Sequence, residues 1–284
     1  MARLYPALEV PVFDLDAEPD IWLLYLKERG FCVLKDGISV ENKETALNMF
    51  KQEVTYVSLG FDWENTETWT TDNTPMVWNK SSVMFNGFGH SDSNWYLRLN
   101  SRVKDAFQHV YGTEDLVTSF DGLSLFLSTG QQSKPWLHQD QRKEDTRLSV
   151  QGILNLMPSG EHDAGFICVP GSHVDYTDAP PNMKSDWIML PENSPLQQQA
   201  RKLIVPERSI LLFNSKLLHA NTGMNPRHTH PRGDKHLNRL SAYITFVPKE
   251  RQSVEVRNKR IQGYHEGKST SHWADRFEPK RIPF

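Results

Sequence analysis

From residue 120 onward the apolar residues come in short runs of period two, the spacing of strands buried on one face. Leu123, Leu125 and Leu127 alternate with Ser124, Phe126 and Ser128, and further runs follow at 148–157, 166–169, 210–213 and 240–247. Turn residues separate the runs, and helices do not interleave with them. This pattern predicts an antiparallel barrel or jelly roll, not a parallel α/β sheet.

The first third of the chain predicts helices that buttress this β core. Pro19 can open a helix, Asp20 adds negative charge to its first turn, and Gly30 can end it. Trp22, Leu23 and Leu26 give that helix an apolar face, and a short strand follows at 31–34. A second helix is expected from Ser39, as N-cap, to about Thr55. Residues 58–98 hold Trp63, Trp69, Trp78 and Trp95 among Asn, Thr, Ser and Gly. They read as an irregular segment folded over the core, either lining a pocket mouth or forming part of the core wall. A third helix is expected from Asn100, as N-cap, to Gly112, with Val103, Phe107, Val110 and Tyr111 on one face. The layout is one domain over 1–284, with a mainly helical and irregular part at 1–119, a β core at 120–250 and a C-terminal extension at 251–284.

Composition narrows the class. Over 284 residues, 38% hydrophobic and 24% charged content describes a globular chain. Its 32 basic and 35 acidic residues give a formal charge of -3, so neither nucleic acid nor an anionic membrane is expected as a partner. The two cysteines, Cys32 and Cys168, exclude a disulfide scaffold and fit the reducing cytoplasm. Cys168 sits in an apolar run and reads as a core residue rather than a reactive thiol. No signal-peptide pattern opens the chain, and no apolar stretch approaches the length of a membrane span.

A mononuclear iron(II) oxygenase binds its metal with two imidazoles and one carboxylate on one face of an octahedron. In extended chain, residues i and i+2 point the same way, so His-x-Asp can supply two of the three ligands. The motif occurs three times, against about one chance match, at His90/Asp92, His138/Asp140 and His173/Asp175. The first lies in a Gly-rich turn and the third follows Pro170-Gly171-Ser172. His138/Asp140 follows the predicted strand 123–128 by one short loop and precedes that at 148–157, which favours it as the rigidly supported pair. A distal ligand is expected at His219, past the apolar run 210–213. Beyond it, Arg239, Ser241, Tyr243 and Thr245 share one strand face. Arg offers a planar fork and Ser a hydroxyl, which suits a dicarboxylate. Gln151 and Asn155, together on one side of the strand 148–157, and Asn221 are further polar candidates for the pocket.

Four segments in order carry a family resemblance: Trp136 to Asp140, Phe166 to His173, Leu212 to Ser215 with His219, and Arg239 to Ser241. Together they resemble the phytanoyl-CoA dioxygenase family of iron(II)/2-oxoglutarate oxygenases, over roughly residues 85–247. The resemblance implies a double-stranded β-helix (jelly roll, cupin-like) core and iron on His138, Asp140 and His219. It implies that Arg239 with Ser241 holds the distal carboxylate of 2-oxoglutarate, and that the turn at 170–173 is structural. The implied reaction uses O2, turns 2-oxoglutarate into succinate and CO2, and hydroxylates an unactivated C–H bond of a small organic substrate; desaturation or ring closure uses the same site. Asp140 in the carboxylate position argues against a halogenase.

The chain departs from the family spacing at an insertion, 224–236, between His219 and Arg239. Arg227 and Arg232 are therefore rivals for the carboxylate, and Arg239 is preferred because it alone begins an alternating strand. Other readings are an iron oxygenase without 2-oxoglutarate, a cupin-like binding protein without turnover, and a hydroxylase of a peptide or protein side chain. The extension with Arg257, Lys259, Arg260 and 270–273 reads most simply as a solvated tail, with a cover over the barrel mouth or a partner contact as the alternatives.

Overall fold

The computed structural model describes residues 4–70, 72–74, 82–83, 87–128, 136–175, 187–225, 227–228, 233 and 236–279. Strands β1 (Ala7–Leu8) and β2 (Val12–Phe13) precede helix α1 (Pro19–Arg29), strand β3 (Phe31–Leu34) and helix α2 (Val40–Val57). Then come β4 (Ser82–Val83), α3 (Asp92–Asn100), α4 (Val103–Tyr111), β5 (Leu116–Thr118), β6 (Leu123–Leu127) and β7 (His138–Gln139). β8 (Val150–Asn155), β9 (Gly165–Cys168), the single turn α5 (Ser172–Asp175), β10 (Ile188–Met189) and β11 (Arg201–Leu203) follow. β12 (Ile210–Asn214), β13 (His219–Thr222), β14 (Leu237–Tyr243), β15 (Phe246–Pro248) and α6 (Val254–His265) complete the order.

The strands assemble into two large sheets. One runs β1-β11-β9-β13-β7-β10, the other β2-β3-β12-β8-β14-β6-β4, and β15 pairs with β5 apart from both. Pairing is antiparallel except for β1 with β11 and β2 with β3. Strand parity sets what each face meets. Ile210 and Leu212 of β12 join Leu154, Leu240 and Ala242 under the helices, with Trp22, Phe50 and Phe107. Their neighbours Leu211 and Phe213 join Phe166, Cys168 and Leu203 of the other sheet. The seven-stranded sheet is thus covered by helices outside and by the six-stranded sheet inside, the arrangement of a β-sandwich.

The helix signals act as expected at α1 and α2. Pro19 opens α1, Gly30 closes it at φ 80°, and Ser39 accepts a hydrogen bond from the Asn42 N–H. Asn100 does not open the third helix: it ends α3, and α4 starts at Val103 with Arg102 at the cap. Ser101 is extended, with ψ 166°, and this breaks what would otherwise be one helix. α3 lies in the segment expected to be irregular, and it is anchored by Glu53 of α2, which accepts from the Ser93 N–H at 2.8 Å.

The tryptophan-rich segment belongs to the helical layer. Trp63 and Trp69 pack with Phe61, and Trp63 also meets Phe50 of α2; Trp95 meets Tyr264 of α6. Trp78 lies outside the described residues. The strand expected at 240–247 is two: β14 stops at Tyr243, and β15 pairs with β5. The C-terminal extension is not a solvated tail either. Thr270, Trp273 and Ala274 are buried, and α6 carries the buried Arg260. Among the described residues, no helix is long and apolar enough to cross a membrane.

Candidate metal centre

β7 and β13 are neighbours in the six-stranded sheet, and His138 is the register partner of His219. Residues opposed in this way project to the same face, and their imidazole centroids stand 4.3 Å apart. Asp140 follows two residues after His138, with its N–H on the Ser215 carbonyl at 2.8 Å. Its two carboxylate oxygens reach the two rings, Oδ1 at 3.5 Å from His138 Nε2 and Oδ2 at 3.4 Å from His219 Nε2. The three residues offer ligand atoms that lie within 4.8 Å of one another. Two ligands at right angles, each about 2.1 Å from one metal, lie about 3 Å apart, so this spacing fits a single cation.

The ring orientations fit as well. His138 Nδ1 lies 3.0 Å from the Trp136 carbonyl and His219 Nδ1 2.8 Å from the Leu217 carbonyl. A carbonyl accepts only from N–H, so each Nδ1 carries the proton and each Nε2 turns its lone pair to the centre. Burial pushes the His138 imidazole down to about 3, with His219 adding to the effect. Burial alone would raise the Asp140 carboxyl, but the imidazoles beside it hold it well below the usual carboxylate range. A neutral His138 imidazole and an ionised Asp140 carboxylate are protonation states a metal needs.

Neighbours fix these ligands. Gln151 Nε2 donates to Asp140 Oδ2 at 2.8 Å and to Ser215 Oγ at 3.2 Å, and Ser215 Oγ meets Ser149 Oγ at 2.8 Å. Gln151 thus positions the carboxylate. The Trp136 indole stacks on His138 at 4.2 Å with a 14° interplanar angle, and Trp187 stands 5.6 Å away. Phe166 and Phe213 pack on His219.

The opposite sheet contributes a cationic corner. In β14, Leu240 and Ala242 face the helices, so Arg239 and Ser241 face the sandwich interior. Arg239 is 1% exposed. Its Nη1 donates to Asn221 Oδ1 at 2.7 Å, and Asn221 donates to the Tyr243 hydroxyl at 2.9 Å. Asn221 lies two residues beyond His219 on β13, so it ties the guanidinium to the triad's strand. Among the described residues, Arg239 Nε, Ser241 Oγ and Ser124 Oγ are buried without hydrogen-bond partners. Ser124 is the register partner of Ser241. Buried donors left idle are costly, and a carboxylate would satisfy them.

The other sequence candidates separate cleanly. His90 Nε2 lies 3.0 Å from the Lys268 carbonyl and His173 Nε2 2.8 Å from that of Lys27, so both imidazoles hold chain segments together. Ser172 Oγ accepts from the Leu218 N–H at 2.9 Å, which makes the 170–173 turn a brace for the approach to His219. Asn155 is 2% exposed and forms the backbone pair of Ser241. Arg227 is exposed, and Arg232 lies outside the described residues. Sequence reasoning missed Ser215, Trp187 and Ser124. Ser124 alone left a signal, as a polar residue on the inward parity of an apolar strand.

No family model matches the chain. "Ava biosynthesis cluster protein O" of Aspergillus versicolor is 30% identical over 154 residues, which is 53% of this chain and 50% of that protein. The chain therefore spans about half the length of the curated relative it matches. The fold recurs among solved structures. EctD from S. alaskensis, crystallised with 2-oxoglutarate and 5-hydroxyectoine, has a TM-score of 0.55 at 14% identity over 99% of this chain and 93% of its own. HygX from Streptomyces hygroscopicus, with nickel and 2-oxoglutarate bound, has 0.54 at 15% identity over 81% and 87%. EvdMO1 has 0.53 at 14% identity over 81% of this chain and 50% of that one. At these identities the likeness is one of fold.

Proposed function

We propose that this chain is an iron(II)/2-oxoglutarate-dependent dioxygenase with a jelly-roll core, acting on a small organic substrate in the cytoplasm. One observation carries the reading: a buried guanidinium with idle donors stands across the sandwich from a buried His-Asp-His cluster. A metal site alone would not require that cation, whereas a cosubstrate bearing a carboxylate does.

In this reading His138, Asp140 and His219 would hold iron(II). Gln151 keeps the Asp140 carboxylate turned to the metal, and the two backbone carbonyls keep each Nε2 aimed at it. Arg239 and Ser241 hold the far carboxylate of 2-oxoglutarate, with Asn221 steadying the guanidinium. The bound iron and cosubstrate supply oxidation of an unactivated C–H bond by O2, with succinate and CO2 released. The aromatic residues around both imidazoles exclude water from the centre. Hydroxylation is the outcome we assign. That EctD and HygX bind 2-oxoglutarate on this fold supports the assignment.

Anaerobic addition of iron(II) and 2-oxoglutarate should produce a weak visible charge-transfer band, absent from His219→Ala. Succinate release across a panel of metabolites should then identify the substrate. An iron-loaded protein with no such band and no succinate would instead be a binding protein on the same fold.

A further inference from the structure

Among the described residues, β10 is the edge strand of the six-stranded sheet, and β7 is its neighbour. Ile188 pairs with Gln139 and Met189 with His138, and the Leu190 N–H donates to the Leu137 carbonyl at 2.8 Å. Residues opposed in an antiparallel pair project to one face of the sheet. Met189 therefore points to the side on which the metal triad stands, and Ile188 to the other.

Burial along this strand is the reverse of what a closed sandwich would impose. Ile188 and Leu190, on the outer face, are 1% and 3% exposed, and Leu190 packs in one cluster with Leu137. Met189, on the inner face, is 50% exposed. Trp187 has the parity of Met189, and its ring lies on the same side, 5.6 Å from that of His138 and 5.7 Å from that of Trp136. Both indoles are only partly buried. Exposure then falls inward along this face: the Asp140 side chain keeps 14%, and those of His138 and His219 keep 7% and 8%. The metal side of β10 is thus where the interior meets solvent, and Trp136, Trp187 and Met189 stand there beside a metal ligand.

The three side chains make one surface with a defined chemistry. The Trp136 indole is nearly parallel to the His138 imidazole, at 4.2 Å and 14°, so His138 occupies one of its faces. Trp187 is inclined to Trp136 by 44°, so the two indoles are splayed. Met189 adds a flexible thioether that adapts to ring edges. Indole and thioether left wet at inward-facing positions are unfavourable, and a flat apolar ring laid across them would remove that exposure.

We propose that Trp187 and Met189, with Trp136, form the platform on which the substrate lies beside the metal ligands, and that the substrate presents an uncharged, flat apolar ring to them. The surface runs without a break into His138, and this continuity assigns it to the substrate of that centre. The inference rests on the dioxygenase reading above and gives its organic substrate a class.

Indole serves as the probe, being neutral, flat and soluble, with cyclohexanol as a neutral ring that is not flat. Iron(II) and 2-oxoglutarate are first added anaerobically to the full chain. If wild type lacks the charge-transfer band, the dioxygenase reading fails, and this proposal with it. With the band present, manganese(II) replaces iron(II) and the proton resonances of each probe are followed, because the paramagnetic ion broadens only protons held near it. Wild type should broaden indole, and cyclohexanol about tenfold less. Trp187→Ala should weaken indole binding about tenfold, the worth of one aromatic contact, and Trp187→Phe should restore most of it. Met189→Gln, which keeps the shape of an exposed side chain and removes its apolar character, should weaken indole binding several-fold. It carries the test if Trp187→Ala loses the charge-transfer band. Equal broadening of the two probes by wild type, or indole binding unchanged in Met189→Gln, overturns the proposal and leaves the dioxygenase reading intact.

Discussion

At the residue scale the proposed site depends on pairs of groups that satisfy each other only when a ligand arrives. Arg239 illustrates this. Its fork spends one Nη1 hydrogen on Asn221 and leaves Nε idle. Lysine in its place keeps the charge but loses the planar geometry. Arg239→Lys should weaken 2-oxoglutarate binding by about one to two orders of magnitude, the worth of a charge-assisted hydrogen bond, while iron affinity changes little. Titration of the charge-transfer band measures both, and equal 2-oxoglutarate affinity in the two proteins would remove Arg239 from the role. The triad was legible because one His-x-Asp pair of three stood outside a Gly- or Pro-Gly turn, a short loop after a predicted strand. Ser215 and Trp187 were not, because each reaches the centre by tertiary contact and leaves no mark in local pattern. Gln151 was noticed as a buried amide, yet only coordinates could give it Asp140 as a partner.

At the scale of elements, the site depends on how closely α4 packs on the seven-stranded sheet. Gly152 in the middle of β8 marks the contact. A Cβ built there would lie 2.4 Å from the Ile244 carbonyl oxygen and 2.9 Å from Phe107 Cε2. Backbone cannot retreat as a flexible side chain can, so Gly152→Ala should destabilise the fold by about 1–3 kcal/mol. A urea midpoint unchanged from wild type would show that the sheet yields there. Gln151 and Ile153 flank this glycine, so the same variant should also disturb the carboxylate that Gln151 holds. Period two found the long strands of this sheet, because each has an apolar row under the helices. It missed β7, β10 and most of β13, which are too short for any period to register. The break between α3 and α4 escaped for a related reason: helix propensity on both sides of Ser101 is good, and only the extended backbone at that one residue separates them. Residues 270–273 read most simply as a solvated tail because no apolar stripe marks them; hydrogen bonds of Ser269 and Thr270 to Gly89 and Phe120 hold this stretch on the core instead.

At the scale of the whole molecule, the two sheets face each other across buried polar groups that a metal-free protein must carry at a cost. His138 makes that cost measurable by acid. Burial, with His219 adding to it, pushes its imidazole from the ordinary 6.5 down to about 3, and unfolding returns it to its ordinary value. Between those values the unfolded chain holds a proton that the folded chain does not. Folding stability of the metal-free protein should therefore fall as pH drops through this window, by about 1.4 kcal/mol per pH unit for one proton. Asp140 acts with the same sign at lower pH. Its folded value is depressed, so the stability it gives is present above the ordinary carboxylate value and is lost as pH falls below it. His138→Gln removes the first titration and weakens the second, which His219 still lowers, if the sandwich persists around the amide. Urea unfolding of the metal-free proteins at about pH 6 and about pH 4 should then show a shallower loss in the variant, by roughly one proton. Parallel losses in the two proteins would mean that His138 takes up its proton while folded, which a carboxylate-paired imidazolium beside Asp140 would allow and a neutral, metal-ready ligand would not.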